Sequence, residues 1–219
     1  MNLLPLSLLG GLVGLDGTSF GQFMTSRPIV AATAAGWVLG DAVGGLLIGT
    51  LLELMHLSVL AVGGARFPEV GPAAVVAVAT AAAGPGPGGI ALGCMMALVW
   101  GQIGSVSIVM MRRVNGRIAP DPFEGPVDPL ATEFAHLKAL ALDFLRGTVL
   151  TTVGVLVGTA LVAPSARDWP LGEGATLALL LGGAGLAAGA LLRTLGGVRK
   201  RGVLFALSAL VGLVAGFLL

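Results

Sequence analysis

The sequence predicts an all-α, polytopic membrane protein in which transmembrane helices alternate with broken or re-entrant helical segments. Three observations carry that prediction. The chain is 56% hydrophobic and 11% charged, whereas a water-soluble domain has about 25% charged residues. The run Val70–Met111 contains no charged side chain at all. Inside that run, Gly84-Pro85-Gly86-Pro87-Gly88-Gly89 interrupts any helix, because proline and clustered glycine break the helical hydrogen-bond ladder.

Charges and breakers divide the chain into apolar blocks. Residues 1–15 form the first block, which lacks a basic leader and is expected to be a membrane segment, not a cleaved signal. Asp16-Gly17 ends it, and a polar stretch runs through Thr25, Ser26 and Arg27. Pro28 suits the first position of a helix, and the block it opens closes at Gly40-Asp41. Residues 42–65 form a helix that Arg66-Phe67-Pro68-Glu69 interrupts. The piece 72–83 is too short to span, whereas 90–111 is long enough, since a crossing needs about 20 residues. Short apolar pieces interrupted by Gly and Pro point to discontinuous helices, which line solute sites.

Residues 112–146 form the sizeable polar region. Arg112, Arg113 and Arg117 follow the uncharged run, Pro120, Pro122, Pro126 and Pro129 make an irregular loop, and 131–146 reads as an amphipathic interfacial helix. The apolar side of that helix holds Phe134, Leu137, Leu140, Ala141 and Phe144. Three more blocks follow, 147–166, 174–192 and 202–219. The arginines after residue 111 and the cluster Arg193, Arg199, Lys200, Arg201 are expected to be cytoplasmic by the positive-inside bias. The whole chain reads as one membrane-embedded domain, 1–219, divided as 1–111, 112–146 and 147–219.

The 36 glycines recur at small-xxx-small spacing: Gly10/Gly14, Gly45/Gly49, Gly154/Gly158, Gly185/Gly189 and Gly212/Gly216. Such pairs let helix backbones approach closely. Cys94 lies in an apolar run and reads as a packed thiol. The net charge of +1 suggests no nucleic-acid partner, and no metal-ligand cluster, cofactor motif, phosphate loop or catalytic signature of a soluble enzyme is present.

Glu53 is the strongest candidate site residue. An ionisable group inside an apolar helix is expensive in a membrane, so it marks a site by default. Gly45, Gly49 and Glu53 share one helix face, with His56 close to it. The carboxylate suits hydrogen bonding to solute hydroxyls or proton uptake; the alternative is a structural pair with an arginine such as Arg27. His56 reads as a packing residue. Asp16, Arg27 and Asp41 end short apolar blocks, where they would cap helices or orient a tip near a solute. Glu69, with Arg66, flanks the Pro68 break and would face a cavity or a plain loop. Gln102 lies within the uncharged span, where a buried amide must bond another helix or a hydroxylated solute.

Several of these segments, taken in order, resemble a known family. Leu15-Asp16, then Gln22 to Ala31 with Arg27-Pro28, then Val38-Leu39-Gly40-Asp41, then Gly45 to Leu54 with Leu52-Glu53, resemble the IIC membrane subunit of the mannose/sorbose family of the bacterial sugar phosphotransferase system. The likeness continues through Gly63-Gly64, Pro68-Glu69, Gly101-Gln102 and His136 to Arg146, over roughly residues 10–150. Val59-Leu60-Ala61-Val62-Gly63 stands where relatives often carry an asparagine, and Pro68-Glu69 replaces a usual Pro-Asp. The resemblance implies a multi-pass protein of the bacterial inner membrane that works beside a IID membrane subunit. Cytoplasmic IIA and IIB proteins relay phosphate, and IIB phosphorylates the sugar that IIC and IID deliver, in oligomers of paired IIC and IID. On this reading the chain is not catalytic by itself and holds no cofactor. Glu53 is the expected sugar-hydroxyl partner, with Gln102 and Glu69 as further candidates and Asp16 and Arg27 positioning the tip. The competing readings are a gradient-driven small-solute carrier with Glu53 as its proton site, and a non-transporting membrane scaffold that docks phosphotransferase proteins. Neighbouring genes for IID and IIB would separate them.

Overall fold

The computed structural model describes residues 2–57, 59, 65–120, 128–194, 203 and 210. The Gly63-Gly64 pair, Arg199-Lys200-Arg201, Gly212/Gly216 and nearly all of the 202–219 block lie outside the described residues. Among the described residues every regular element is a helix and no strand forms. The helices are α1 (Leu3–Thr18), α2 (Pro28–Leu39), α3 (Ala42–Met55), α4 (Val70–Ala83), α5 (Gly86–Ile118), α6 (Pro129–Val157) and α7 (Glu173–Thr194). α6 continues through a π-helical turn, Gly158–Val162, and a 3₁₀ segment, Ala163–Asp168.

Among the described residues three helical stretches are long and apolar enough to cross a membrane: Gly86–Ile118, Pro129–Asp168 and Glu173–Arg193. The other four helices have 12 to 16 residues. At 1.5 Å per residue they reach about 18–24 Å, short of the roughly 30 Å hydrocarbon thickness.

The local sequence explains the helix ends. Pro28 starts α2, and Gly40, with φ +85°, ends it in the left-handed conformation that glycine adopts without cost. The Asp41 carboxylate then accepts a hydrogen bond from the Gly44 N–H at 2.8 Å and caps α3. The resulting α2–α3 pair is antiparallel and very close. A Cβ at Gly45 would come within 2.5 Å of the Ala32 carbonyl oxygen, and one at Gly49 within 2.8 Å of the Ile29 Cα. The Gly45/Gly49 spacing is therefore a helix contact.

α4 lies at the centre. Every residue from Gly71 to Thr80 is buried, as expected of a helix apolar on all sides. The expected break at 84–89 is present, since α4 ends at Ala83 and α5 begins at Gly86. The two helices fold back on each other, with Gly93 against Ala77 and Gly104 against Glu69. The 3₁₀ segment covers the break, because Gly84 and Gly88 both meet Ala166.

α6 joins two segments that the sequence pattern separates, the amphipathic stretch 131–146 and the block 147–166. Its 29 residues form one helix. Apolar residues run through its outer side, with Phe134, Leu137 and Leu145 exposed, so no boundary forms at Arg146. α1 packs antiparallel on this helix: a Cβ at Gly10 would meet Thr151, and the Thr152 hydroxyl donates to Ser7 Oγ at 2.7 Å. Gly154 and Gly158 also touch neighbours, Trp100 and Thr80, whereas Gly185 and Gly189 of α7 face open space.

Candidate functional site

A polar cavity of about 420 Å³ opens where the end of α1 and the α1–α2 loop meet α5, α6 and the segment before α4. Asp16, Ser19, Gln22, Ser26, Arg27, Phe67, Arg112, Asn115 and Asp143 are among its lining residues. The wall is rich in hydroxyl, amide, guanidinium and carboxylate groups, with one aromatic ring.

Asp16 builds the loop that forms one wall. Its Oδ1 accepts from the Phe23 N–H at 2.6 Å and its Oδ2 from the Ser26 N–H at 2.9 Å. Between these anchors the chain adopts left-handed backbone at Gly21, Gln22 and Met24, with φ of +90°, +53° and +65°. Non-glycine residues rarely take this conformation, and such strain concentrates at ligand sites. Gln22 and Met24 both line the cavity.

Arg27 also lines the cavity and forms an ion pair with Glu53. Glu53 Oε2 further accepts from the Ile29 N–H at 3.3 Å. That amide belongs to the first turn of α2, whose N-terminus carries partial positive charge. Glu53 thus neutralises Arg27 and caps α2 from across the hairpin. The structural pair weighed from sequence is present, and Glu53 is not itself among the cavity-lining residues. His56 Nδ1 bonds the Leu52 carbonyl at 2.9 Å within its own helix.

The deepest charges form a second network. Arg146 Nη1 donates to Glu69 Oε2 at 2.6 Å and Nη2 to Glu69 Oε1 at 2.7 Å. Its Nε donates to Asp143 Oδ1 at 2.7 Å, and Nη1 also donates to Ser107 Oγ at 2.7 Å. The side chains of Arg146, Glu69 and Asp143 are only 8%, 4% and 2% exposed. The Thr18 and Ser19 hydroxyls donate to Asp143 Oδ2, tying the end of α1 to α6 at the cavity edge. Gly104 lets Glu69 reach Arg146, since a Cβ there would lie 2.6 Å from the Glu69 Cβ. Glu69 lines a smaller cavity of about 190 Å³ that shares Gly17, Thr18, Ser26, Arg27 and Phe67 with the first.

The structure therefore gathers Asp16 and Arg27 at one cavity, with Glu53 and Glu69 each behind an arginine. Gln102 lines neither cavity and is exposed on the outer face of α5. Asp143, Arg112, Asn115 and Gln22 were not singled out as candidates from sequence. The signal for Asp143 was the i,i+3 pair Asp143/Arg146 with apolar sequence on both sides, which an interfacial helix leaves without a buried partner. The Asn115 Oδ1 is buried, lacks a hydrogen-bond partner among the described residues and belongs to a cavity-lining side chain.

Comparison with known proteins agrees with this architecture. A solved chain described as "Structure of membrane protein" superposes with a TM-score of 0.64 at 22% identity, covering 98% of this chain and 86% of that one; that likeness is one of fold alone. The sorbose-specific EIIC component of Klebsiella pneumoniae is 29% identical over 137 residues, 59% of this chain and 49% of that protein. The fructose permease IIC component of Bacillus subtilis (strain 168) is 27% identical over 164 residues, 74% of this chain and 60% of that protein. The mannose-specific EIIC component of Escherichia coli (strain K12) is 28% identical over 147 residues, 66% of this chain and 54% of that protein. The chain thus spans about half the length of the curated relatives it matches. The family described as "PTS system sorbose-specific iic component" matches residues 1–188, and this membrane protein belongs to that family.

Proposed function

We propose that this chain is the IIC membrane subunit of a sugar phosphotransferase transporter in the bacterial inner membrane, and that the 420 Å³ cavity is a station on the sugar's path. The carrying observation is a polar cavity inside a membrane helical bundle of this family. Its volume suits a small-molecule site, and its hydroxyls, amides and charges supply the mixed donors and acceptors that sugar hydroxyls need. Phe67 offers a ring to the apolar face of a sugar.

In this reading Arg27, Asn115, Gln22 and Ser26 address the solute. Asp16 shapes the loop, and Glu53 holds Arg27 in register. Glu69 acts through Arg146 on Asp143. Arg112 lines the cavity and Arg113 and Arg117 follow it on α5, so the cavity lies toward the basic end of that helix. Basic residues mark the cytoplasmic side, where a IIB protein, recharged by IIA, would phosphorylate the emerging sugar. A IID-like subunit would complete the translocation path.

The test is uptake of a labelled sugar panel by vesicles holding this chain with a IID-like subunit, supplied inside with the soluble phosphotransferase proteins and phosphoenolpyruvate. Accumulation of a sugar phosphate that needs both membrane subunits is expected. Uptake driven by an ion gradient without any phosphotransferase protein would overturn the reading.

A further inference from the structure

One side of α5 lines the 420 Å³ cavity through Ile108, Met111, Arg112 and Asn115. Residues three and four apart are neighbours on a helix surface, so these four stack together, two apolar and two polar. Most polar groups that face them across the cavity are committed. Asp16 accepts from two backbone amides, Asp143 from Arg146, Thr18 and Ser19, and Arg27 pairs with Glu53. Arg112 Nη1 donates to the Ala65 carbonyl at 3.0 Å, and its guanidinium lies 5.7 Å from the centre of the Phe67 ring. Gln22 is exposed, so water can satisfy it. Asn115 Oδ1 differs from all of these: it is buried, and no donor reaches it among the described residues. An acceptor in that state has lost its hydrogen bonds to water without replacement, at a cost of about 1–3 kcal/mol.

Resting on the reading of this cavity as a sugar station, we propose that Asn115 is its specificity-determining residue, whose Oδ1 accepts a hydrogen bond from one hydroxyl of the solute. A buried polar atom that folding leaves unpaired is a place where a guest can supply the partner. Here the partner must be a donor. The guanidinium groups of Arg27 and Arg112 could donate, but Arg27 is turned to Glu53, and Arg112 to Ala65 and Phe67. An ionised carboxylate on the guest has acceptors alone, so it would meet the guanidinium groups and leave Oδ1 unsatisfied. A hydroxyl both donates and accepts. It can give its proton to Oδ1 while its oxygen accepts from a guanidinium, which satisfies both kinds of wall group with one substituent. The χ2 torsion of asparagine is soft, so the carboxamide turns Oδ1 from the wall into the cavity at little cost. At this point of the path the wall therefore selects a hydroxyl against an anionic group, and against a sugar that lacks the hydroxyl.

Equilibrium binding to the full chain, purified with the IID-like subunit, tests this assignment. The probes are a panel of labelled neutral hexoses and pentoses, then the monodeoxy and monodeoxyfluoro analogues of the sugar that binds most tightly. Fluorine does not donate, so both analogue series are expected to lose affinity about tenfold at one shared position. In Asn115→Leu, which is close to asparagine in shape, the parent sugar is expected to bind about tenfold more weakly, and the analogue at that position to lose nothing further. Asn115→Ala is expected to behave alike. The unliganded Asn115→Leu protein is expected to melt at or above the wild-type temperature, because the orphaned acceptor is gone. A lower melting temperature shows that the amide serves the fold and overturns the proposal. Wild-type affinity in both variants, or an unchanged analogue profile, overturns the role of Asn115 and leaves the sugar reading standing. Tighter binding of the matching hexuronate than of the neutral sugar overturns the hydroxyl preference. Failure of the wild-type complex to bind any sugar of the panel removes the sugar reading and this assignment together.

Discussion

Replacing Arg146 by methionine is expected to cost far more stability than replacing Glu69 by glutamine, although the two side chains form one ion pair. The reason is the charge count of the cluster. Glu69 and Asp143 are two buried carboxylates sharing the single guanidinium of Arg146. Arg146→Met removes three charge-assisted hydrogen bonds and the bond to Ser107, and strands both carboxylates in a water-poor interior. Breaking a buried pair by deleting one partner costs about 3–5 kcal/mol, and here two anions lose their partner, so the upper end applies. Glu69→Gln leaves Arg146 with Asp143, a neutral pair. The amide oxygen still accepts one of the two bonds from the fork, so the loss is that of one hydrogen bond to a charged group, about 1.5–3 kcal/mol. Equilibrium unfolding in mixed detergent, followed by the fluorescence of Trp100, whose indole N–H donates to the Leu150 carbonyl one turn from Arg146, reads both variants. The double variant Arg146→Met with Glu69→Gln is expected to cost less than the sum of the two, since one stranded carboxylate is gone. Equal costs for the two single variants, or a larger one for Glu69→Gln, would refute the charge-count reasoning.

Other expectations follow from single contacts. Thr151 is fully buried and its hydroxyl has no partner among the described residues; Thr151→Val, which keeps the shape and removes the unsatisfied group, is expected to be neutral or stabilising by about 1 kcal/mol in the same unfolding assay. Gly45→Ala drives a methyl to 2.5 Å from the Ala32 carbonyl oxygen, so α2 and α3 must part at a cost of about 1–3 kcal/mol, whereas Gly185→Ala meets open space and is expected to leave the melting temperature unchanged. Glu53→Gln is expected to cost only about 1 kcal/mol in stability, because Arg27 is 35% exposed at the cavity and water screens it, while solute affinity measured on the same preparation falls about tenfold. A stability loss as large as that of Arg146→Met would show that Glu53 is purely structural.

The fold class was legible because hydropathy and breakers act locally. The start of the uncharged run, the Gly-Pro break and Pro28 each fix a boundary by chain geometry alone, and all three are present, whereas α5 runs past the end of the uncharged run at Met111 to Ile118. The sequence pattern and the structure part at two places: α3 ends at Met55, with His56 as its C-cap, where the pattern expects a helix over 42–65, and α6 is one helix where the pattern expects two segments. Glu133, His136 and Lys138 give its first half an interfacial look, yet the helix continues unbroken into the apolar half, since nothing between Leu142 and Gly147 stops a helix. The continuity of α6 hid Asp143 and Arg146, which need a buried neighbour to matter. Gln102 shows the converse. Its apolar surroundings were evident, but which side of a helix meets the bundle depends on where the glycines of its partners lie, and Gly101 and Gly104 turn inward on either side of it.

The two ion-pair systems share one arrangement. Glu53 holds Arg27 at the edge of the cavity, and Glu69 with Arg146 holds Asp143 there. In each case the more remote carboxylate sits on or before a helix next to the cavity and reaches it through an arginine. A lone charge in a membrane bundle is costly, and pairing each one locally reduces that cost without filling the cavity. The carboxylates that line the cavity are also committed in advance: Asp16 to two backbone amides, Asp143 to Arg146 and two hydroxyls. Their charge therefore sets the orientation of neighbouring donors instead of attracting a cation. What the cavity wall presents besides these carboxylates is a set of hydroxyls, amides, one ring and the guanidinium groups of Arg27 and Arg112, a surface that, on the proposed reading, would suit a polyhydroxylated solute.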